Sequence, residues 1–159
     1  MKPIYMLFSK SIYLFLISVL LVQMSFAQDS TNSIRSKVEA KNFVFKAQTA
    51  SPAKGGLHHL TSDYDLKVKG DSLISYLPYY GRAYAGADLN EGGIQFTSTK
   101  FDYKMKAKSK GGWDITIKPK DAHDVNQMTL SISEGGNAYL TVISNNRQSI
   151  SFNGYIENK

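Results

Sequence analysis

Seven separate stretches of this chain alternate apolar with polar residues, and that period of two limits the fold more than any other feature. Phe43, Phe45 and Ala47 are interleaved with Val44 and Lys46, and Tyr64, Leu66 and Val68 with Asp65 and Lys67. The same pattern runs through Ile94 and Phe96, through Phe101, Tyr103 and Met105, and through Trp113, Ile115 and Ile117. It returns in Met128, Leu130 and Ile132, and in Ile150 and Phe152. Side chains of a strand point alternately to opposite faces, so each stretch reads as a strand with one dry and one wet side. Parallel strands covered on both sides would read as continuous apolar runs, so the alternation predicts antiparallel pairing.

The turns agree. Gly70-Asp71, Lys110-Gly111-Gly112, Glu134-Gly135-Gly136-Asn137 and Asn145-Asn146 separate alternating runs with residues that tolerate the positive φ of tight hairpins. The pattern predicts roughly nine strands joined mainly by hairpins. Segments 49–62, 77–92 and 119–125 are expected as longer loops. One-face-apolar strands in sequence order must close on themselves or pack as two layers. The fold class expected is mainly β, a single-domain antiparallel meander forming a closed or partly open barrel, with a β-sandwich as the alternative.

The amino terminus predicts export. Lys2 and Lys10 precede the apolar run Ser11–Val22, and Ser25 and Ala27 occupy the −3 and −1 positions of a cleavage site. Cleavage after Ala27 removes the segment 1–27 and leaves no transmembrane anchor in the mature chain, which implies a periplasmic or secreted protein. Residues 28–40 read as a polar spacer, with Ile34 and Val38 spaced for one or two helical turns, and residues 41–159 as one β domain. The chain has no cysteine, so there is no lipobox for a lipid anchor and no disulfide. Residues 28–159 carry 17 basic against 13 acidic side chains, a net +4. The lysines are dispersed at alternate positions, as on a strand's solvent face, and so predict no nucleic-acid partner.

Chemistry-bearing constellations are sparse. His58-His59 with Asp63, and Asp121, His123 and Asp124, offer imidazole and carboxylate in expected loops, but neither has a metal-ligand spacing. No metal and no cofactor is predicted. There is no Gly-x-Ser-x-Gly elbow, and nothing pairs any two of Asp63, Asp65, Asp88, Glu91, Asp102 and Asp114 for glycoside chemistry. No catalytic residue is therefore assigned and an enzyme is not expected; two acids, or a histidine with an acid, converging in one cleft would revive a hydrolase.

The densest segment is Tyr76-Leu77-Pro78-Tyr79-Tyr80-Gly81-Arg82-Ala83-Tyr84. Run extended, it would set Tyr76, Tyr80, Arg82 and Tyr84 on one side and hold the guanidinium between phenol rings, a surface for anionic or amphipathic ligands. Tyr76, Tyr79, Tyr80, Arg82 and Tyr84 are the candidate ligand-binding residues. The competing reading makes the segment a packing corner shaped by Pro78 and Gly81, with Arg82 answering a buried carbonyl or carboxylate. Arg147 and Trp113 are open to the same two readings: Arg147 as a strand-start residue after the Asn145-Asn146 turn, Trp113 as a packed ring.

The same nine residues, with Gly93-Ile94-Gln95-Phe96, Gly112-Trp113-Asp114-Ile115 and Arg147-Gln148-Ser149-Ile150-Ser151-Phe152-Asn153-Gly154, resemble the domain of unknown function 4251 family of bacterial envelope proteins. The likeness covers nearly all of the chain after residue 27. It implies export and a compact, lipocalin-like β fold, and no activity. Relatives with a lipobox cysteine are anchored by lipid, which this chain cannot reproduce. Two functions follow: an exported non-catalytic binding module for a small amphipathic or anionic envelope ligand, or a structural domain of the envelope that meets a partner protein and takes no small ligand.

Overall fold

The computed structural model describes residues 34–84 and 92–157. The predicted signal peptide, and Asp88 and Glu91, lie outside them. Nine strands form one antiparallel sheet: β1 (Asn42–Pro52), β2 (His58–Lys69), β3 (Ser72–Pro78), β4 (Gly93–Ser98), β5 (Phe101–Ala107), β6 (Trp113–Pro119), β7 (Val125–Ile132), β8 (Asn137–Ser144) and β9 (Ile150–Ile156). Their order is β4-β3-β2-β1-β9-β8-β7-β6-β5. Two meanders are thus joined where the first strand pairs with the last, Phe45 facing Ile156 and Ala50 facing Phe152. The sheet curls into a nearly closed barrel, the expected fold class.

How it closes follows from strand direction. Nine antiparallel strands leave the outermost two, β4 and β5, running the same way, so they cannot form a hairpin. Only Thr99 and Lys100 separate them, and they follow each other as one bent strand whose first half pairs with β3 and second half with β6. A bend that lets a strand change partners is how sheets turn corners. Asp121 fixes this one: its carboxylate accepts from Thr99 N–H at 3.1 Å, and Lys120 N–H donates to Lys100 C=O at 2.7 Å. The Ser98 hydroxyl, helped by the Thr99 amide, holds the Asp121 carboxyl below its ordinary range.

The bend leaves part of each outer strand without a neighbour. Against β5 lies a short helix, α1 (34–39), with Ile34 and Val38 facing inward four residues apart and fully buried, and Arg35 and Glu39 paired at 2.9 Å outside. Tyr103 on β5 donates its hydroxyl to Val38 C=O at 3.1 Å, and Lys37 Nζ donates to Glu157 C=O at 3.0 Å. Gly136 has φ 86°, and a Cβ there would meet Ile34 Cδ1 at 2.8 Å, so the β7–β8 turn is shaped around the helix. The expected spacer therefore contributes to the core from Ile34 onward, because two apolar side chains on a single turn are enough to cap the barrel.

Alternation holds except at the end of β5, where Met105, expected on the dry face, is exposed. Phe43, Phe45, Leu66, Val68, Ile115, Ile117, Met128, Leu130, Ile132 and Phe152 all face inward and are buried, and Trp113 packs at 7% exposure. These side chains fill the barrel with one continuous core, each stabilising the fold by about 1.5–3 kcal/mol through burial. The expected loop at 49–62 is instead the end of β1 and the start of β2, so His58 and His59 are strand residues. Gln48 forms a bulge between Ala47 and Thr49, and Leu60–Asp63 loop out opposite it, so the period of two is broken exactly where the strands continue. Beside that bulge Gly154 lies so close to Lys46 C=O that no Cβ fits.

Burial pushes the Tyr103 phenol up to about 12. The unfolded chain ionises this group near pH ~10, so the neutral phenol's contribution is complete below that pH and is lost as pH rises toward about 12. Tyr103→Phe is expected to be less stable at neutral pH by about 1 kcal/mol, from the lost bond to Val38, yet to show a flatter stability profile above pH ~10. Urea unfolding over a pH series measures both.

Candidate functional site

The tyrosine-rich segment leaves the extended conformation at Pro78 and folds back over the β8–β9 connection. Ala83 makes an isolated antiparallel bridge to Arg147, Tyr84 N–H donates to Asn146 C=O at 2.8 Å, and Gln148 N–H donates to Arg82 C=O at 3.0 Å. The Tyr79 hydroxyl lies 2.9 Å from Arg82 C=O and 3.0 Å from Gln148 C=O, sharing its one proton between them. Burial raises its phenol above the ordinary range.

The structure separates the five residues picked out in this segment. Tyr79 is half-buried and belongs to the corner. Tyr76, Tyr80, Arg82 and Tyr84 are exposed, Tyr80 stacked on His58 with ring centroids 4.3 Å apart and Tyr76 stacked on Tyr64 at 5.5 Å. Arg82 does not sit between phenol rings, because Pro78 and Gly81 turn the chain before it. Among the described residues its guanidinium has no partner.

Arg147 takes the place that the packing-corner reading gave to Arg82. It is 7% exposed, and its Nη1 donates to Gly93 C=O at the start of β4 at 2.8 Å. Its Nε lies 2.7 Å from Asp124 Oδ2 in the β6–β7 loop. That N–H is poorly aligned, so the contact is an ion pair rather than a linear hydrogen bond. Its guanidinium carbon stands 5.2 Å from the centre of the Tyr79 ring. Arg147 is therefore no strand-start residue; β9 begins three residues later, and the side chain ties together the corner, β4 and the β6–β7 loop.

Beside this clip a cleft of about 240 Å³ runs along β4 where the bend leaves it without a neighbour. One wall is Gly93–Phe96, the other Asp121–Val125, and Arg147 closes one side. Ile94, Phe96, Ala122 and Val125 supply apolar surface, and Asp124 Oδ1 is buried there as an acceptor with no hydrogen-bond donor. Asp121, His123 and Asp124, expected as solvated loop residues, thus converge on one cleft. Of the other acids, Asp65 is buried between Lys46 and Lys67, each 3.1 Å from its Oδ2, while Asp102 pairs with Lys120 and Asp114 with Lys108. No three histidines or acids among the described residues are grouped to hold a metal ion. No helix among them is long and apolar enough to cross a membrane.

The sequence singled out Arg147 and Asp124 separately but gave no reason to join them, because their significance lies in a meeting of segments far apart in the chain. The one local signal was an arginine following an Asn-Asn turn in a stretch otherwise free of charge.

Comparison with known proteins gives the lineage and no activity. No curated protein matches the chain. The crystal structure of a DUF4251 family protein from Bacteroides eggerthii is similar in fold, with a TM-score of 0.63 and 18% identity over 80% of this chain and 86% of that one. The pattern of the domain of unknown function DUF4251 matches residues 26–156, from beside the predicted cleavage site to the last residue of β9, and the chain belongs to that family.

Proposed function

We propose that the protein is an exported, non-catalytic binding module that takes one small amphipathic ligand in the cleft between β4 and the β6–β7 loop. The observation that carries this reading is the buried, undonated Asp124 Oδ1 set among Ile94, Phe96, Ala122 and Val125. A buried acceptor without a donor is costly, and a ligand N–H or O–H would relieve it while apolar atoms fill the remaining space. Because Asp124 already neutralises Arg147, the cleft favours a donor head group over an anion; Arg82 and Tyr84, flanking the bridged Ala83, offer the exposed rim an anion would prefer. Such a protein is lipocalin-like in outline but takes its ligand at the barrel's seam, since its interior is packed. Export rests on the amino-terminal pattern.

The cleft also gathers two aspartates and a histidine, the observation that favours a hydrolase as a second reading. Against it, Asp124 Oδ2 is engaged by Arg147 and Asp121 by the Thr99 amide, so both carboxylates already serve the clip and the bend.

Titration with octylamine, followed by amide chemical shifts, is expected to perturb Ile94, Gln95, Ala122 and Val125. Ala122→Phe, which fills the cleft without touching the Arg147 contacts, is expected to abolish the response at unchanged fold. Perturbation confined to Tyr76–Tyr84, or none, would overturn the placement.

A further inference from the structure

The chain's charge is concentrated in one place. Residues 100–120, which span the β5–β6 hairpin, carry seven lysines against two aspartates, a net +5, whereas residues 28–159 as a whole carry +4. The rest of that span is therefore close to neutral. Lys120 pairs with Asp102 at 2.6 Å and Lys108 lies 3.8 Å from Asp114. Lys100, Lys104, Lys106, Lys110 and Lys118 are all exposed and form no ion pair with any described residue.

Register gathers three of them on one surface. Asp102 faces Lys118, Lys104 faces Thr116, and Lys106 faces Asp114, so Lys104, Lys106 and Lys118 share the outer face with Asp102 and Asp114, the two acids that Lys120 and Lys108 already engage. Beyond them β7, β8 and β9 contain no acidic or basic residue, and their outer faces present mainly hydroxyls and amides. Nothing on the adjoining sheet neutralises the lysines, so their field extends into solvent.

We propose that this hairpin docks the protein onto an anionic lipid surface. Five unpaired lysines on one two-stranded ribbon match the polybasic clusters that bind phosphate-bearing membranes. A lipid layer fits better than a soluble polyanion because residues 104–107 are exposed on both faces. Met105, 40% exposed, points opposite to Lys104 and Lys106, so this part of β5 can enter the head-group layer with lysines on one side and an apolar side chain on the other.

The test is co-sedimentation with vesicles of phosphatidylcholine alone or mixed with phosphatidylglycerol, over a salt series. The mature protein is expected to bind only the mixed vesicles, less tightly as salt rises. Lys104→Glu with Lys106→Glu is expected to weaken binding by at least about tenfold, at roughly fivefold per lysine. Lys54→Glu with Lys69→Glu makes the same charge change at exposed lysines elsewhere and is expected to retain most of the binding. All four positions are solvent-exposed, and circular dichroism checks that both variants fold. Equal loss in the two variants would assign the attraction to net charge and overturn the proposal. So would failure to bind mixed vesicles at low salt, or unchanged binding in the hairpin variant.

Discussion

Arg147→Ala is expected to lower the free energy of unfolding by about 3 kcal/mol, whereas Arg82→Ala, next to the Ala83 that bridges to it, is expected to change it by less than about 0.5 kcal/mol. The contrast follows from burial. Removing Arg147 strands Gly93 C=O and the Asp124 carboxylate, and leaves a void beneath Tyr79. Asp124 is partly accessible to water, which keeps the cost at the lower end of the range for a broken buried pair. Arg82 has its side chain in solvent and takes part in the corner through its backbone carbonyl, which alanine retains. Urea unfolding followed by the fluorescence of the buried Trp113 compares the two. An Arg82→Ala loss as large as that of Arg147→Ala would mean that the clip has been assigned to the wrong arginine.

Truncating the inward face of α1 is expected to have the larger effect: Ile34→Ala combined with Val38→Ala should cost about 4 kcal/mol, a large part of the 5–15 kcal/mol typical of a small domain. Both side chains are fully buried, and six residues of helix have no stability of their own, so the helix exists only while its apolar face is covered. Its loss should be felt first on β5, through Tyr103. Hydrogen exchange of the double variant is expected to rise in β5 before it rises in β1 or β9. Uniform protection with an unchanged unfolding midpoint would show that α1 rests on the barrel without supporting it.

The fold was legible because alternation is a local property. Each strand's wet and dry sides, and each glycine or asparagine turn, could be read from a few adjacent residues. It failed where geometry broke the period: at Gln48 a single extra residue puts Ala47 and Ala50 on the same side, three apart, and the two strands ran on through what looked like loop. Ile34 and Val38 gave too short a pattern to distinguish a helix in the core from a polar leader. The site was hidden for another reason. Tyr79, Gly93, Asp124 and Arg147 come from four segments, and nothing local says which of two similar arginines the fold will bury. The aromatic density around Arg82 marked the corner, and the guanidinium that the fold buries there is that of Arg147.

The pairing of β1 with β9 carries a consequence for how the chain comes to be folded at all. Phe45 cannot meet Ile156 until nearly the whole polypeptide is available, so the middle of the sheet is its longest-range contact and closes late. While the last strand is missing, β1 and β8 each present an open edge. Until the carboxyl-terminal strand arrives the two meanders can form only as separate halves, so the single barrel is completed by the last segment of the chain to become available.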